Sequence, residues 1–487
     1  MTKSRTPSNR FHAENAAPES MPCPLYKLAQ RQPDAIAVCQ DGWEYTFADF
    51  DVLVQRYAAA LAARHVAAGQ CLAVAAANSV QYLALIVAAV RQRIVICPLN
   101  TRWPVASLRA AIQYVDAALI VADDAMLAVL DLPAVAFEEL NATATVSHAP
   151  SWDPSATATV VFTSGTSSAT PKAAVHRLES HCCSARGANT NLPLVPGDRW
   201  LLALPLYHVG GLAILFRCLL SGATVAVAPT DRPIAESLSQ VRATHVSVVP
   251  TQLARLLRQQ LLSDHLRAVL VGGAPLSAAL AAEALEVGLP VHTTYGSTEM
   301  ASQITATPPG AGPDDLHTCG KVLPYREIKI ADDGEIIVRG PTLFDGYLAT
   351  DGVRAAVDRD GWFATGDRGE LDDQLRLVVH GRVDNMFISG GENVQPEEIE
   401  ARLCESEGVA EAVVLPVPDE EFDHRPVAFV RMLPGYRLEA EALTAELAAV
   451  LPRFKVPIRF LTWPQTLDQK GAKPCRHVLQ MHLKQQL

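Results

Sequence analysis

Short apolar runs and helical stretches take turns along most of this chain, and that alternation restricts its fold more than any other feature. CLAVAAAN (71–78) precedes VQYLALIVAAVRQ (80–92), and ATVAVAP (223–229) precedes PIAESLSQVRA (233–243). HVSVVP (245–250) leads into TQLARLLRQQL (251–261), and RAVLVGG (267–273) into SAALAAEALEVG (277–288). Parallel strand pairs need a long crossover, usually a helix, so the pattern predicts an α/β fold with mixed, largely parallel sheets. Beyond Pro324 the texture changes to shorter strands and turns, a β-rich subdomain in which Asp333-Gly334 marks a hairpin within IKIADDGEIIVRG (328–340). The tail from about residue 385 reads helix, strand, strand, helix: PEEIEARLCES, AEAVVLPVP, PVAFVRML and EAEALTAELAAVL. That is a small α+β module, and 487 residues are too many for one core.

The first twenty-odd residues are polar and Pro-containing, which predicts a flexible arm over 1–24. Order is expected to begin at Thr46-Phe47-Ala48-Asp49, a capping-box variant, after which Leu53, Tyr57 and Leu61 mark one buried helical face.

Lys plus Arg number 41 against 52 Asp plus Glu, a net charge of -11 that argues against a nucleic-acid surface. The 10 cysteines are scattered without C-x-x-C spacing, and residues 1–20 lack the apolar core of a secretory signal. Reduced cysteines in a cytoplasmic protein are the expectation. No apolar run reaches membrane-span length, since LALIVAAV (83–90) is broken by Arg91, and the 14 histidines show no H-E-x-x-H metal spacing.

The strongest local signal is TVVFTSGTSSATPKAAVH (159–176). A β-branched strand runs into Thr163, Ser164, Gly165, Thr166 and Ser167, closed by Pro171-Lys172. Backbone N–H groups, hydroxyls and one ammonium can hold a polyphosphate, although such a loop alone also suits a solvated turn and is not a Walker A motif. Further along come YGSTE (295–299) after an apolar strand, FATGD (363–367) with Asp367 in a turn, Gly381-Arg382-Val383-Asp384, and Lys473-Pro474-Cys475-Arg476. Taken singly, Tyr295 suits a core aromatic, Glu299 a helix N-terminal charge, and Lys473 a solvated tail lysine.

These motifs, in this order, resemble the acyl-adenylate-forming superfamily of acyl-CoA synthetases, adenylation domains and luciferases, from about residue 25 onward. The resemblance implies a large adenylation domain (25–383) that binds ATP and an acid, and a small mobile C-terminal domain (384–487). It implies that the loop from Thr163 to Lys172 cradles phosphates, Glu299 holds Mg²⁺, and Tyr295-Gly296 with Gly272-Gly273-Ala274 flanks adenine. Asp367 and Arg382 would meet the ribose, Thr298 and Lys473 the reacting groups, and His208 would gate the acyl pocket. Asp384 would be the hinge, and Gly390-Gly391 would approach CoA. The partners implied are a carboxylic acid, ATP and CoA, with room for a homo-oligomer.

PKAAVH (171–176), LPLYHVGG (204–211), THVSVVPTQLARLL (244–257) and GRVDNMFISGGENVQPEEIE (381–400) are most similar to the o-succinylbenzoate–CoA ligases of menaquinone biosynthesis. The alternatives are another aryl- or fatty-acid–CoA ligase, or a non-catalytic adenylate-binding relic. The relic is suggested by Ser167-Ser168 where the family has a second glycine, and by one extra residue before Pro171. Lys470 competes with Lys473, but only Lys473 sits three residues before an arginine as in the family. Arg217, inside the apolar stretch GLAILFRCLLSG (211–222), either has an internal acidic partner, reaches water from a helix end, or faces the acyl pocket to meet a substrate carboxylate.

Overall fold

The computed structural model describes residues 20–140, 149–163, 172–229, 232–259, 265–389, 392–419, 422–464 and 476–484. Order begins well before Thr46. The helix Pro24–Arg31 and the strand Ile36–Gln40 precede it, the helix starting with Pro24 in its first turn. The predicted cap at Thr46 is present: its Oγ1 accepts from the Asp49 N–H at 3.1 Å, while the Asp49 carboxylate accepts from the Thr46 N–H at 3.3 Å. On the helix that follows, Phe47–Ala63, Tyr57 and Leu61 of the predicted face are buried, while Leu53 is half-buried and its neighbour Val54 is buried instead.

Two large mixed sheets carry the first part of the chain. The nine-stranded one runs Lys321–Val322, Ser302–Ala306, Val291–Ser297, Ala268–Val271, His245–Val248, Arg199–Leu202, Thr224–Val227, Ile36–Gln40, Trp43–Thr46. Its interior from Val291–Ser297 to Ile36–Gln40 is parallel, with antiparallel strands at both edges. The seven-stranded sheet runs Gly352–Arg354, Gly346–Ala349, Ala173–Arg177, Thr157–Phe162, Val95–Pro98, Cys71–Ala75, Ala117–Ala122, the last four parallel. The helices predicted from the alternation cross between these strands, and the two sheets sandwich a shared core that includes Phe50, Leu83 and Phe216.

Beyond Pro324 lies a four-stranded antiparallel sheet, and its first hairpin, Glu327–Ile330 with Glu335–Arg339, turns at Asp333-Gly334 with Gly334 at φ +84°. The last module is a five-stranded sheet covered by the helices Pro396–Leu403 and Ala440–Val450. The fold is therefore α/β with a large N-terminal part of mixed sheets and a smaller C-terminal domain.

The helices Phe47–Ala63 and Val80–Arg91 are joined by a buried ion pair between Asp51 and Arg91. Arg91→Met alone should cost about 3 kcal/mol, because it leaves the Asp51 carboxylate buried without its cation. Asp51→Leu with Arg91→Met should recover most of that loss in denaturant unfolding. A double variant no more stable than the single one would mean that the pair is not the source of the cost.

Candidate functional site

Segments from three sheets end close together. From the seven-stranded sheet, the strand Thr157–Phe162 leads to Thr163, whose N–H donates to the Lys172 carbonyl at 2.8 Å. That bond closes the base of the predicted phosphate loop. Ser164, Gly165, Thr166 and Ser167 lie outside the described residues. From the nine-stranded sheet, the strand Val291–Ser297 carries Tyr295 and Gly296 and passes into a turn at Thr298 and Glu299. Glu299 is therefore in a turn, not at a helix N-terminus. Gly272-Gly273-Ala274 follow the adjacent strand Ala268–Val271. A Cβ on Gly272 would lie 2.7 Å from Thr294 Cγ2, and Gly273 sits at φ +81°.

The four-stranded sheet contributes Asp367 and Arg382. Asp367 lies within the strand Phe363–Leu371, not in a turn. The T-G-D triplet reads as turn chemistry, but this strand pairs on both sides and continues through Gly366 at φ +73°. Asp367 is opposite Arg382 in the ladder. Its carboxylate accepts from the Tyr295 hydroxyl at 2.7 Å and from Arg382 Nη1 at 3.1 Å. Burial, reinforced by the Asp367 charge, pushes the Tyr295 phenol well above its ordinary range, so it remains a donor. Arg382 also reaches Asp384 Oδ2 at 3.3 Å, in the single 3₁₀ turn Val383–Asn385.

Glu299 and Lys172 meet at a residue that sequence reasoning did not single out. Tyr347 donates to Glu299 Oε1 at 2.7 Å, and the Lys172 ammonium stands 5.0 Å from the centre of its ring. His176 was likewise missed, although it closes the PKAAVH motif. Its Nε2 lies 2.7 Å from the Thr298 carbonyl, which can only accept, so Nε2 carries the proton. Burial lowers its pKa to about 4, keeping the ring neutral. Neither contact leaves a sequence signal, since 48 residues separate Tyr347 from Glu299 and 122 separate His176 from Thr298.

His208 precedes the helix Val209–Ser221 and lines a small cleft with Asn100, Trp103, Phe162 and Tyr207. Phe162 directly precedes Thr163, so this cleft adjoins the phosphate loop. Arg217 lies in the same helix, 1% exposed. Both ordinary explanations for it fail. It is too buried to reach water, and its partners are Gln303 Oε1 at 2.6 Å and the Trp200 ring at 5.0 Å, neither an acid. Its Nε is buried without a hydrogen bond. Lys473, Gly390 and Gly391 lie outside the described residues.

Sheet-end glycines, a tyrosine-held carboxylate and a cation-bearing loop together define a nucleotide-binding α/β enzyme. The chain belongs to the AMP-binding enzyme family, whose model matches residues 25–348, and the AMP-binding enzyme C-terminal domain matches residues 398–471. It is 41% identical to 2-succinylbenzoate–CoA ligase of Salmonella typhimurium over 338 residues, 69% of this chain and 71% of that protein. Against the enzyme of the same name from Listeria innocua it is 32% identical over 89% of this chain and 93% of the other. Among solved structures, o-succinylbenzoate CoA synthetase of Bacillus subtilis in complex with ATP and magnesium ion superposes with a TM-score of 0.85 at 30% identity. The match covers 91% of this chain and 96% of that one.

The depressed His176 pKa has a consequence for stability. Below pH 6.5 the unfolded chain binds a proton on this ring that the folded chain refuses until about pH 4. Stability should therefore fall as pH drops from 6.5 to 4, His176 contributing on the order of 3 kcal/mol. In His176→Gln, whose amide can still donate to Thr298, denaturant unfolding across that window should be measurably less pH-dependent. The neighbouring buried His181 keeps part of the dependence. An unchanged slope would mean that His176 is not neutral in the fold.

Proposed function

We propose that this chain is an ATP-dependent acid–CoA ligase whose acid is 2-succinylbenzoate, converted through an acyl-AMP to 2-succinylbenzoyl-CoA, AMP and diphosphate in menaquinone biosynthesis. The observation that carries the choice of acid is Arg217, a guanidinium buried in the helix that begins just after His208, with no carboxylate partner among the described residues. 2-Succinylbenzoate has two carboxylates. The succinyl one is activated, and the ring carboxylate supplies the missing anion. A fatty acid would leave Arg217 uncompensated, which disfavours that alternative.

A carboxylate resists attack by a thiol because oxide is a poor leaving group, and adenylation replaces oxide with AMP. The first step therefore needs positioning and charge neutralisation at the α-phosphate. In this reading Asp367 and Arg382 hold the ribose, and Tyr295 with Gly272, Gly273, Ala274 and Gly296 frames adenine. Thr163, Ser164, Gly165, Thr166, Ser167 and Lys172 hold the phosphates. Glu299, which belongs to no three-ligand metal cluster among the described residues, suits a Mg²⁺ held mainly by phosphate oxygens, where the ion would offset phosphate charge. Lys473 and Thr298 neutralise the reacting oxygens, and His208 separates the acyl pocket from the thiol path. Asp384 is the hinge between a domain of residues 25–383 and a mobile one of 384–487 that brings Gly390 and Gly391 to CoA. A reducing, cytoplasmic setting is the reading that the scattered cysteines without C-x-x-C spacing suggest.

AMP release should require both 2-succinylbenzoate and CoA for turnover, and acid-dependent pyrophosphate exchange should be present, which a non-catalytic relic would lack. Arg217→Met should raise KM for 2-succinylbenzoate by an amount equivalent to about 2–5 kcal/mol, with KM for ATP nearly unchanged. A monocarboxylate analogue lacking the ring carboxylate should show little of that penalty. Equal losses with both acids would make Arg217 structural.

Lys473→Ala should abolish acyl-AMP formation, while supplied acyl-AMP still reacts with CoA. If Lys470→Ala shows that selective loss instead, the catalytic lysine lies three positions earlier.

A further inference from the structure

A second buried guanidinium lies behind Arg217. Arg326 is 6% exposed and holds no acid among the described residues. Its Nε donates to the Gln303 carbonyl at 2.7 Å, Nη1 to the Pro324 carbonyl at 2.7 Å, and Nη2 to Ser184 Oγ at 3.0 Å and the Ser184 carbonyl at 3.1 Å. The side chain of the same Gln303 accepts from Arg217. Two cations thus bond one buried neutral residue, Arg217 at the Gln303 side-chain oxygen and Arg326 at its backbone carbonyl, and no carboxylate acts on either among the described residues. Burial lowers both, Arg217 to about 10 and Arg326 to about 9, and Arg217 adds to the shift at Arg326.

The space for Arg326 is made by a glycine inside a helix. Gly187 lies mid-way along Leu178–Asn191, and a Cβ there would collide with the Arg326 guanidinium and the Pro324 carbonyl. Helix-interior glycine is unfavourable by roughly 1 kcal/mol against alanine, so the helix accepts a local cost where Arg326 enters. Ser184, which Arg326 also grips, donates from Oγ to the Ala301 carbonyl at 2.8 Å. Arg326 therefore fixes the segment from Ala301 to Gln303, just after the Thr298–Glu299 turn.

We propose that Arg326 is a positioning residue for acid selection: it sets Gln303 against Arg217 and adds a second buried positive charge, leaving the pair one anion short until the substrate's non-reacting carboxylate arrives. The inference rests on Arg217 as the cation that meets that carboxylate. Arg326 itself does not touch the substrate. Its nitrogens are occupied by the Gln303, Pro324 and Ser184 oxygens, whereas Arg217 keeps a bare Nε.

The deciding variant is Gln303→Glu, which installs the missing anion at the side-chain position that Arg217 grips, on the residue whose backbone Arg326 holds. It should raise Tm without acid and raise KM for 2-succinylbenzoate by roughly tenfold or more. KM for the monocarboxylate analogue should stay within about threefold. Arg326→Gln should shift the same KM ratio in the same direction by a smaller factor, and Arg326→Lys, which keeps the charge, should restore most of it. If Gln303→Glu lowers Tm, fails to fold, or weakens both acids equally, the inference is overturned. If Arg217→Met alone is selective, Arg326 is structural while the reading of Arg217 stands. If none of the variants is selective, that reading falls as well.

Discussion

The hydrogen bond from His176 to the Thr298 carbonyl joins two sheets that share no strand. His176 belongs to the strand that closes the phosphate loop, and Thr298 to the turn that carries Glu299. Without that bond the carbonyl would be a buried acceptor with one fewer partner, a loss of about 1–3 kcal/mol. The segment just before Gly346–Ala349 adds a second tie. Phe344 donates to the Glu299 carbonyl at 2.8 Å and Asp345 to the Val175 carbonyl at 2.9 Å. Glu299, Tyr347 and Lys172 can meet only because both ties hold. A charged imidazole would serve less well at this position, since its burial is compensated by one carbonyl and no carboxylate.

Arg217 and Arg326 carry buried positive charge that no acid among the described residues balances. Elsewhere the same chain pairs buried arginine as expected, Arg91 with Asp51, so the lack of acids around Arg217 and Arg326 is local. The backbone there is also unrelaxed. Ala301 at φ +51° and Ser302 at φ +118° hold left-handed conformations that favour glycine. Such residues cost of order 1–3 kcal/mol each and persist where surrounding contacts fix them. Here the contacts are Ser184 on the Ala301 carbonyl and Arg326 on the Gln303 carbonyl. Strain, a helix glycine and two guanidiniums with no acid partner among the described residues coincide around Gln303, a combination that stability alone does not explain.

How much of this was legible in the chain depended on the range of the interaction. Local signals came through: the cap at Thr46, the Asp333-Gly334 hairpin and each strand–helix pair named from its periodicity. So did the ends of strands, which placed Thr163, Tyr295 and Gly272 near one another in an open α/β fold. Local chemistry misled where pairing on both edges overrode it. Asp367 sits in a strand because two neighbours hold it there, and the chain is ordered before Thr46 because Ile36–Gln40 completes a sheet begun nearly two hundred residues later. Arg217 shows the limit most clearly. Its burial followed from the apolar helix around it, but the identity of its partner, a glutamine 86 positions away, followed from nothing local.

The proposed nucleotide site and the proposed hinge share one guanidinium, and its two ion pairs are unequal. Arg382 holds Asp367 at 3.1 Å, where the acid side chain is 17% exposed, and Asp384 at 3.3 Å, where it is 51% exposed. An exposed pair contributes about 0–1 kcal/mol, whereas the sheltered one is fixed further by the Tyr295 hydroxyl and by ladder pairing. Rotation at Asp384 would therefore break the weaker contact and leave Asp367 in place. Beyond the hinge, Glu397 accepts from Asn385 at 2.5 Å and from Arg476 at 3.1 Å, and Glu400 accepts from Arg476 at 2.6 Å. The turn after Asp384 and the helix Arg476–Lys484 are thus tied to one another through the helix Pro396–Leu403. A movement starting at Asp384 would carry those elements as a unit, with Arg382 and Asp367 staying on the nucleotide side.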